Sequence, residues 1–163
     1  MKNILIIGGT KGIGKSIVDN LVDDNNITCL SRNKLDFQHQ NFVHKEFDAL
    51  SDEYPEMDSL DCLIYCPGSI NLKPISTLTL EDFRNDFEIN VIGAVKAIKK
   101  YLPLLKKSIS ASILLFSTVA TKLGMPYHAS VSVAKSGVDG LVKTLGSELA
   151  PKVRINAIAP TIT

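Results

Sequence analysis

The sequence predicts an α/β fold: a doubly wound parallel sheet within a single domain. Short apolar runs alternate with longer stretches in which apolar residues recur every three or four positions. A cluster of glycines closes the first apolar run and opens the first helical stretch. The chain's 163 residues, 45% hydrophobic and 21% charged, are the size of one domain and enough to bury a core.

Each element follows from its own residues. The runs NILIIG (3–8), ITCLS (27–31), FVHKEF (42–47), DCLIYC (61–66), SILLFS (112–117) and VRINAIA (153–159) read as strands. Most are near-continuous apolar runs, as parallel strands covered on both faces require. Between the first two, Ile13, Ile17, Val18, Leu21 and Val22 share a helical face over 13–23. Thr79 is the expected cap of a helix opening at TLEDF (79–83), with Asp82 at its third position. The long run 83–107 carries Phe87, Val91, Ala94, Val95 and Ile98 on one face. A last helix, 127–149, repeats Ala134, Val138, Leu141, Val142, Leu145 and Leu149. Alternation of this kind builds a parallel sheet through right-handed crossovers. The last strand lies within a few residues of Thr163, so a chain cut short before a further covering element is expected.

Composition excludes several classes. A net charge of +1 gives no reason to expect nucleic acid or an anionic membrane as partner. The lysines of KAIKKYLPLLKK (96–107) read as the solvated side of a helix. No apolar run approaches the roughly 18–20 residues that span a bilayer, and MKNILIIGG lacks a signal peptide's longer apolar core and cleavage site. Cys29, Cys62 and Cys66 sit in apolar, strand-like contexts, which fits buried thiols in a reducing, cytoplasmic setting. No pair of histidines accompanies them at ligand spacing, so no metal site is expected.

The segment ILIIGGTKGIGKS (4–16) places Gly8, Gly12 and Gly14 between strand and helix. Glycines there let the backbone turn sharply and approach a ligand, while the helix N-terminus offers free N–H groups and positive dipole to a pyrophosphate. Tight turns also collect glycine; the position in the first βαβ unit favours a dinucleotide. A ribose with a free 2′-hydroxyl is held by an acid at the end of the second strand. Here that strand ends Cys29-Leu30-Ser31-Arg32-Asn33. Arg32 can pair instead with a 2′-phosphate, with Lys11 as a second cation, unless both are only solvated surface cations. NADP(H) is therefore expected over NAD(H).

From end to end these residues resemble the short-chain dehydrogenase/reductase family, of Rossmann type. GGTKGIG resembles its cofactor loop, with the basic residue before GIG found in NADP-preferring members. Asp48 in EFDAL is similar to the acid set against adenine. DCLIYCPGS (61–69) stands where the family has a strand ending in Asn-Asn-Ala-Gly, and keeps only Gly68 of that tetrad. FEINVIGA resembles the Asn-Val-x-Gly helix, which makes Asn90 the counterpart of a helix-kinking, water-holding asparagine. ILLFSTVA and LGSELAPKVRINAIAP resemble the fifth strand and the approach to the sixth. The resemblance implies a cofactor site of Gly8, Thr10, Lys11, Gly12, Ile13, Gly14, Ser31, Arg32, Asp48, Ala49, Cys66, Pro67, Gly68, Asn90, Lys135 and Pro160.

In that family a tyrosine and a lysine at YxxxK share one helix face. The lysine holds the nicotinamide ribose and lowers the phenol's pKa, and a serine thirteen residues before the tyrosine orients the substrate carbonyl. Lys135, closing YHASVSVAK (127–135), fits the lysine. The tyrosine position is then Val131 and the serine position Thr118, with Ser117 beside it. Valine can neither donate nor accept a proton, and losing a general acid costs about 10²–10⁴ in rate. Tyr127 lies eight residues before Lys135; the enoyl reductase branch separates its pair by seven, which would need a lysine at Ala134. His128 is either a proton source or an exposed loop histidine. Ser130 and Ser132 are too weakly acidic to replace a phenol. Thr161 stands where a glycine is expected after Pro160.

The implied function is an NADP(H)-dependent oxidoreductase that moves a hydride between cofactor and a small carbonyl or alcohol. Thr118, Ser117, Asn90 and Lys135 form its implied catalytic set. The alternative is a catalytically silent NADP(H)-binding relative, a binding or assembly module, because Val131 cannot serve as acid. A purely structural role would leave the glycine loop and Arg32 unexplained. A homo-oligomer, dimer or tetramer, is expected through the helices 83–107 and 127–149, with neither nucleic acid nor membrane as partner. The family's last strand and substrate lid are expected to be missing from residues 1–163.

Overall fold

The computed structural model describes residues 1–161; the expected break after Thr163 lies outside them. Six parallel strands form one sheet: β1 (Asn3–Ile7), β2 (Asn26–Ser31), β3 (Phe42–Glu46), β4 (Cys62–Tyr65), β5 (Ser112–Phe116) and β6 (Arg154–Ile158). Their order is β3-β2-β1-β4-β5-β6. Ile7 pairs with Leu30 on one side and with Tyr65 on the other, so the direction of winding reverses at β1. Such a reversal opens a crevice beyond the carboxyl ends of the strands.

The apolar strand runs are continuous because both faces of the sheet are covered. Leu5 and Ile7 point into a core shared with Ala94, Ala97, Ile98, Tyr101 and Val138, while Ile4 and Ile6 pack with Val18 and Val22. The first set comes from α3 (Gly93–Leu105) and α5 (Ala129–Leu149), the second from α1 (Gly12–Leu21) and its C-cap. The two edge strands depart from the pattern: β6 exposes Arg154, Asn156 and Ile158, and β3 exposes Val43 and Lys45, whose lysine discourages pairing with another edge.

The Thr79 capping box is present in full at the start of α2 (Leu80–Phe87). The single long helix expected over 83–107 is instead a run of α2, a π-helical turn (Glu88–Ile92) and α3. The turn widens where Asn90 Nδ2 donates to the Asp86 carbonyl at 2.8 Å and the Tyr65 hydroxyl draws out the Ile89 carbonyl. Val91, Ala94 and Ile98 are buried as expected; Phe87, expected on the same face, is exposed. The helix expected at 127–149 begins two residues later, because Tyr127 adopts φ +65 and cannot continue it. A short helix, α4 (Ala120–Leu123), was not anticipated. Among the described residues no helix is long and apolar enough to cross a membrane, and no cluster of His, Cys, Asp and Glu could hold a metal ion.

Candidate functional site

Two glycines shape the floor of the crevice. Gly8 has φ +80, and a Cβ there would press on Pro67. A Cβ on Gly14 would stand 2.3 Å from the Gly8 carbonyl oxygen, so α1 packs directly against the end of β1. Lys11, at the N-cap of α1, provides no side-chain cap, and the first turn carries no acid. The N–H groups of that turn therefore remain open to an anion.

Around this floor lie two adjoining cavities. One, of about 570 Å³, is walled by Thr10, Lys11, Ser31, Arg32, Asp48, Ala49, Cys66, Pro67 and Gly68, all of them expected cofactor residues. Arg32 and Lys11 form no ion pair among the described residues. The Ser31 hydroxyl donates to the Asn33 carbonyl and so accepts from His44 Nε2, 2.9 Å away. One oxygen of Asp48 accepts the Leu50 N–H, which holds the carboxylate at the cavity's edge.

The other cavity, of about 480 Å³, is largely apolar: Ile13, Ile70, Leu72, Phe116, Met125 and Val131 line it. Its polar groups include Ser117, Thr118, His128 and Lys135, with Pro160 and Thr161 also in its wall. Lys135 Nζ donates to the Phe116 carbonyl at 2.8 Å. Burial lowers its pKa to about 8, and neighbouring Cys66 and Asp86 act in the opposite direction. Burial also pushes the Cys66 thiol up to about 12. Val131 is 4% exposed and presents only its isopropyl group. The Thr118 hydroxyl oxygen accepts the Ala120 N–H at 3.3 Å, while the buried Ser117 hydroxyl has no partner among the described residues. Gly8, Lys11, Cys66, Gly68 and Ser69 line both cavities, which are thus one continuous crevice.

Two expected site residues do not line either cavity. Gly12, with φ +52, serves the turn into α1 and faces open space. Asn90 is buried behind Gly68 because the π-helical turn carries its side chain inward, where Nδ2 bonds the Asp86 carbonyl and, at 3.3 Å, Ser69. Tyr127 is 60% exposed and faces a separate hollow with Pro74 and Ile75, away from Lys135. His128 does reach the cavity; its Nδ1 donates to the Pro126 carbonyl.

The sequence reading missed Ser69, Asn71 and Asp86. Ser69 Oγ and Asn71 Nδ2 donate to Asp86 Oδ1 at 2.5 and 2.9 Å. Asp86 is wholly buried and its Oδ2 has no partner among the described residues. The available signal was position: Asp86 stands four residues before Asn90, hence on the same helix face.

A family profile described as enoyl-(acyl carrier protein) reductase matches residues 9–163. The chain is 27% identical over 180 positions to a 3-oxoacyl-(acyl-carrier-protein) reductase of Buchnera aphidicola, covering 98% of this chain and 72% of that protein. It is 30% identical over 182 positions to a tropinone reductase homolog of Arabidopsis thaliana, covering 99% and 68% respectively. Among solved structures, ElxO with NADP bound matches with a TM-score of 0.89 at 27% identity, over 99% of this chain and 74% of that one.

Proposed function

Because this chain belongs to the short-chain dehydrogenase/reductase family, we propose that it binds NADP(H) along the crevice and acts on a small carbonyl or alcohol by hydride transfer. The observation that carries this reading is the continuity of the two cavities, whose shared wall lets one extended ligand run from Arg32 to Lys135. The pyrophosphate would lie on the Gly8–Gly14 floor at the open end of α1, with Ile13 and Thr10 beside it. Arg32, Lys11 and Ser31 would meet the 2′-phosphate, and Asp48 and Ala49 the adenine. Cys66, Pro67 and Gly68 would follow the chain of the ligand toward Lys135, whose spare N–H groups suit the nicotinamide ribose hydroxyls. When bound, the dinucleotide supplies or accepts the hydride. Thr118 and Ser117 would orient the substrate oxygen, Asn90 would hold a water behind Gly68, and Pro160 would flank the nicotinamide. The binding of NADP by ElxO supports the choice of cofactor.

A second reading, a silent dinucleotide-binding relative, is favoured by one observation: Val131 places a hydrocarbon where the family's acid stands. NADPH oxidation with a panel of ketones and diketones, run beside Val131→Tyr, separates the two. Turnover in the unaltered chain supports the enzyme; turnover only in Val131→Tyr leaves the silent relative. Pairing of copies through α2, α3 and α5 belongs to the same proposal, supported by the exposed Phe87 and Val133, and light scattering of the purified chain tests it. Its three free thiols suit a reducing, cytoplasmic setting.

A further inference from the structure

Lys135 has three donor hydrogens and, among the described residues, one partner, the Phe116 carbonyl oxygen at 2.8 Å. Val131, one helical turn back, leaves the adjoining part of the cavity without an acid. Behind Gly68 runs a series of linked polar groups, half-buried at Ser69 and Asn71 and fully buried at Asp86 and Asn90. Asn71 and Ser69 donate to Asp86 Oδ1, and Asn90 Nδ2 donates to Ser69 Oγ. Asp86 Oδ2 and Asn90 Oδ1 are buried without a partner among the described residues. A Cβ on Gly68 would stand 2.9 Å from Asn90 Oδ1 and 3.4 Å from Lys135 Nζ. The glycine thus keeps amide oxygen and ammonium facing one open space.

We propose that Lys135 itself delivers the proton to the substrate oxygen, where Val131 leaves no acid, with Asp86 as its buried counter-charge. This rests on the reading of the apolar cavity as a carbonyl-reducing site. In reduction the carbonyl carbon gains the hydride supplied by bound NADPH, and the C=O π pair moves onto oxygen. That oxygen takes a proton from Lys135 Nζ, which becomes a neutral amine and recovers its proton from solvent. Lys135 is the catalytic residue in this step; Asp86 is a positioning residue that acts through it.

The chemistry favours this assignment. A general acid works best when its pKa lies near the working pH, and burial brings Lys135 down to about 8. Cys66 and Asp86 both oppose that fall. Since the Cys66 thiol stays neutral well above pH 8, Asp86 is the charge that counts there. Besides these, the groups facing Lys135 are the Phe116 carbonyl from β5 and the Asn90 amide from the π-helical turn. Lys11 and His128 line the same cavity. Arginine at position 135 would keep a charge and donors for a ribose but could not release a proton.

The test uses the whole chain with NADPH and the ketone panel. It reads NADPH binding by nicotinamide fluorescence, the pH profile of kcat, and the titration of Lys135 by ¹³C NMR of ε-labelled lysine in cofactor-free protein. Lys135→Arg is expected to retain NADPH binding and lose about 10²-fold or more of kcat. Asp86→Asn is expected to move the alkaline limb of kcat and the Lys135 midpoint together to lower pH. A limb that stays while the midpoint moves overturns the proposal, as does kcat preserved in Lys135→Arg. Loss of turnover in His128→Asn with Lys135→Arg still active assigns the proton to His128 and overturns it too. NADPH binding without any ketone reduction sinks the proton transfer and spares the cofactor site; no NADPH binding sinks both. Should Asp86→Asn fail to fold, Lys135→Arg alone decides by its binding and kcat.

Discussion

The Tyr65 hydroxyl donates to the Ile89 carbonyl oxygen across 2.8 Å, joining the end of β4 to the π-helical turn. A Cβ on Gly93 would stand 2.1 Å from that same hydroxyl oxygen, so the tyrosine and the glycine fit as a pair. Tyr65→Phe leaves the Ile89 carbonyl without this donor and is expected to cost about 1–3 kcal/mol in urea denaturation. Gly93→Ala should cost more in the native background and less in Tyr65→Phe, where the clashing oxygen is gone. Strict additivity in that double-mutant cycle would contradict the pairing.

The two turn glycines differ in what surrounds them. At Gly14 an added methyl meets backbone, the Gly8 carbonyl, whereas at Gly12 it meets open space and only the positive φ is strained. Gly12→Ala is expected to cost about 1–2 kcal/mol. Gly14→Ala should cost more and also abolish dinucleotide binding, because it pushes α1 from the end of β1. Thermal melts and NADPH titration of both variants check the ranking.

Lys135 carries a pH signature in the cofactor-free chain. Its folded pKa, about 8, lies below the 10.5 of a free lysine. Between these values the unfolded chain binds more protons than the folded one, so this residue makes stability rise with pH across that window. Below pH 8 its full burial penalty is present. Lys135→Met is therefore expected to stabilise the cofactor-free chain at pH 7, by on the order of 1–3 kcal/mol, with the gain shrinking toward pH 10.5. Denaturation of both proteins at pH 7 and pH 10 reads the difference, and a variant less stable at pH 7 contradicts the assignment.

Local patterns made much of this legible in the sequence. Most strands were visible as near-continuous apolar runs because the inner strands bury residues on both faces of the sheet, and the Thr79 box because its groups lie within one turn. The glycine floor was readable from spacing alone. Tertiary pairings were not. Asp86 reads as a surface acid on an amphipathic helix, yet Ser69 and Asn71 reach it from the loop after β4. The partner of Lys135 is a main-chain carbonyl, which no side-chain pattern signals. The π-helical turn depends on Tyr65, far away in sequence, so the helix appeared continuous. Tyr127 was out of reach for another reason, a backbone angle that swings it away from the cavity.

The central claim is that the crevice takes NADP(H), with Arg32 at its phosphate end. Titration of NADPH and NADH by nicotinamide fluorescence, on the native chain and on Arg32→Asp, tests it most directly. The account predicts tighter binding of NADPH by the native chain, and in Arg32→Asp a loss of roughly tenfold or more for NADPH with little change for NADH. Equal losses for both would refute the 2′-phosphate assignment, and no binding of either by the native chain would contradict the account as a whole.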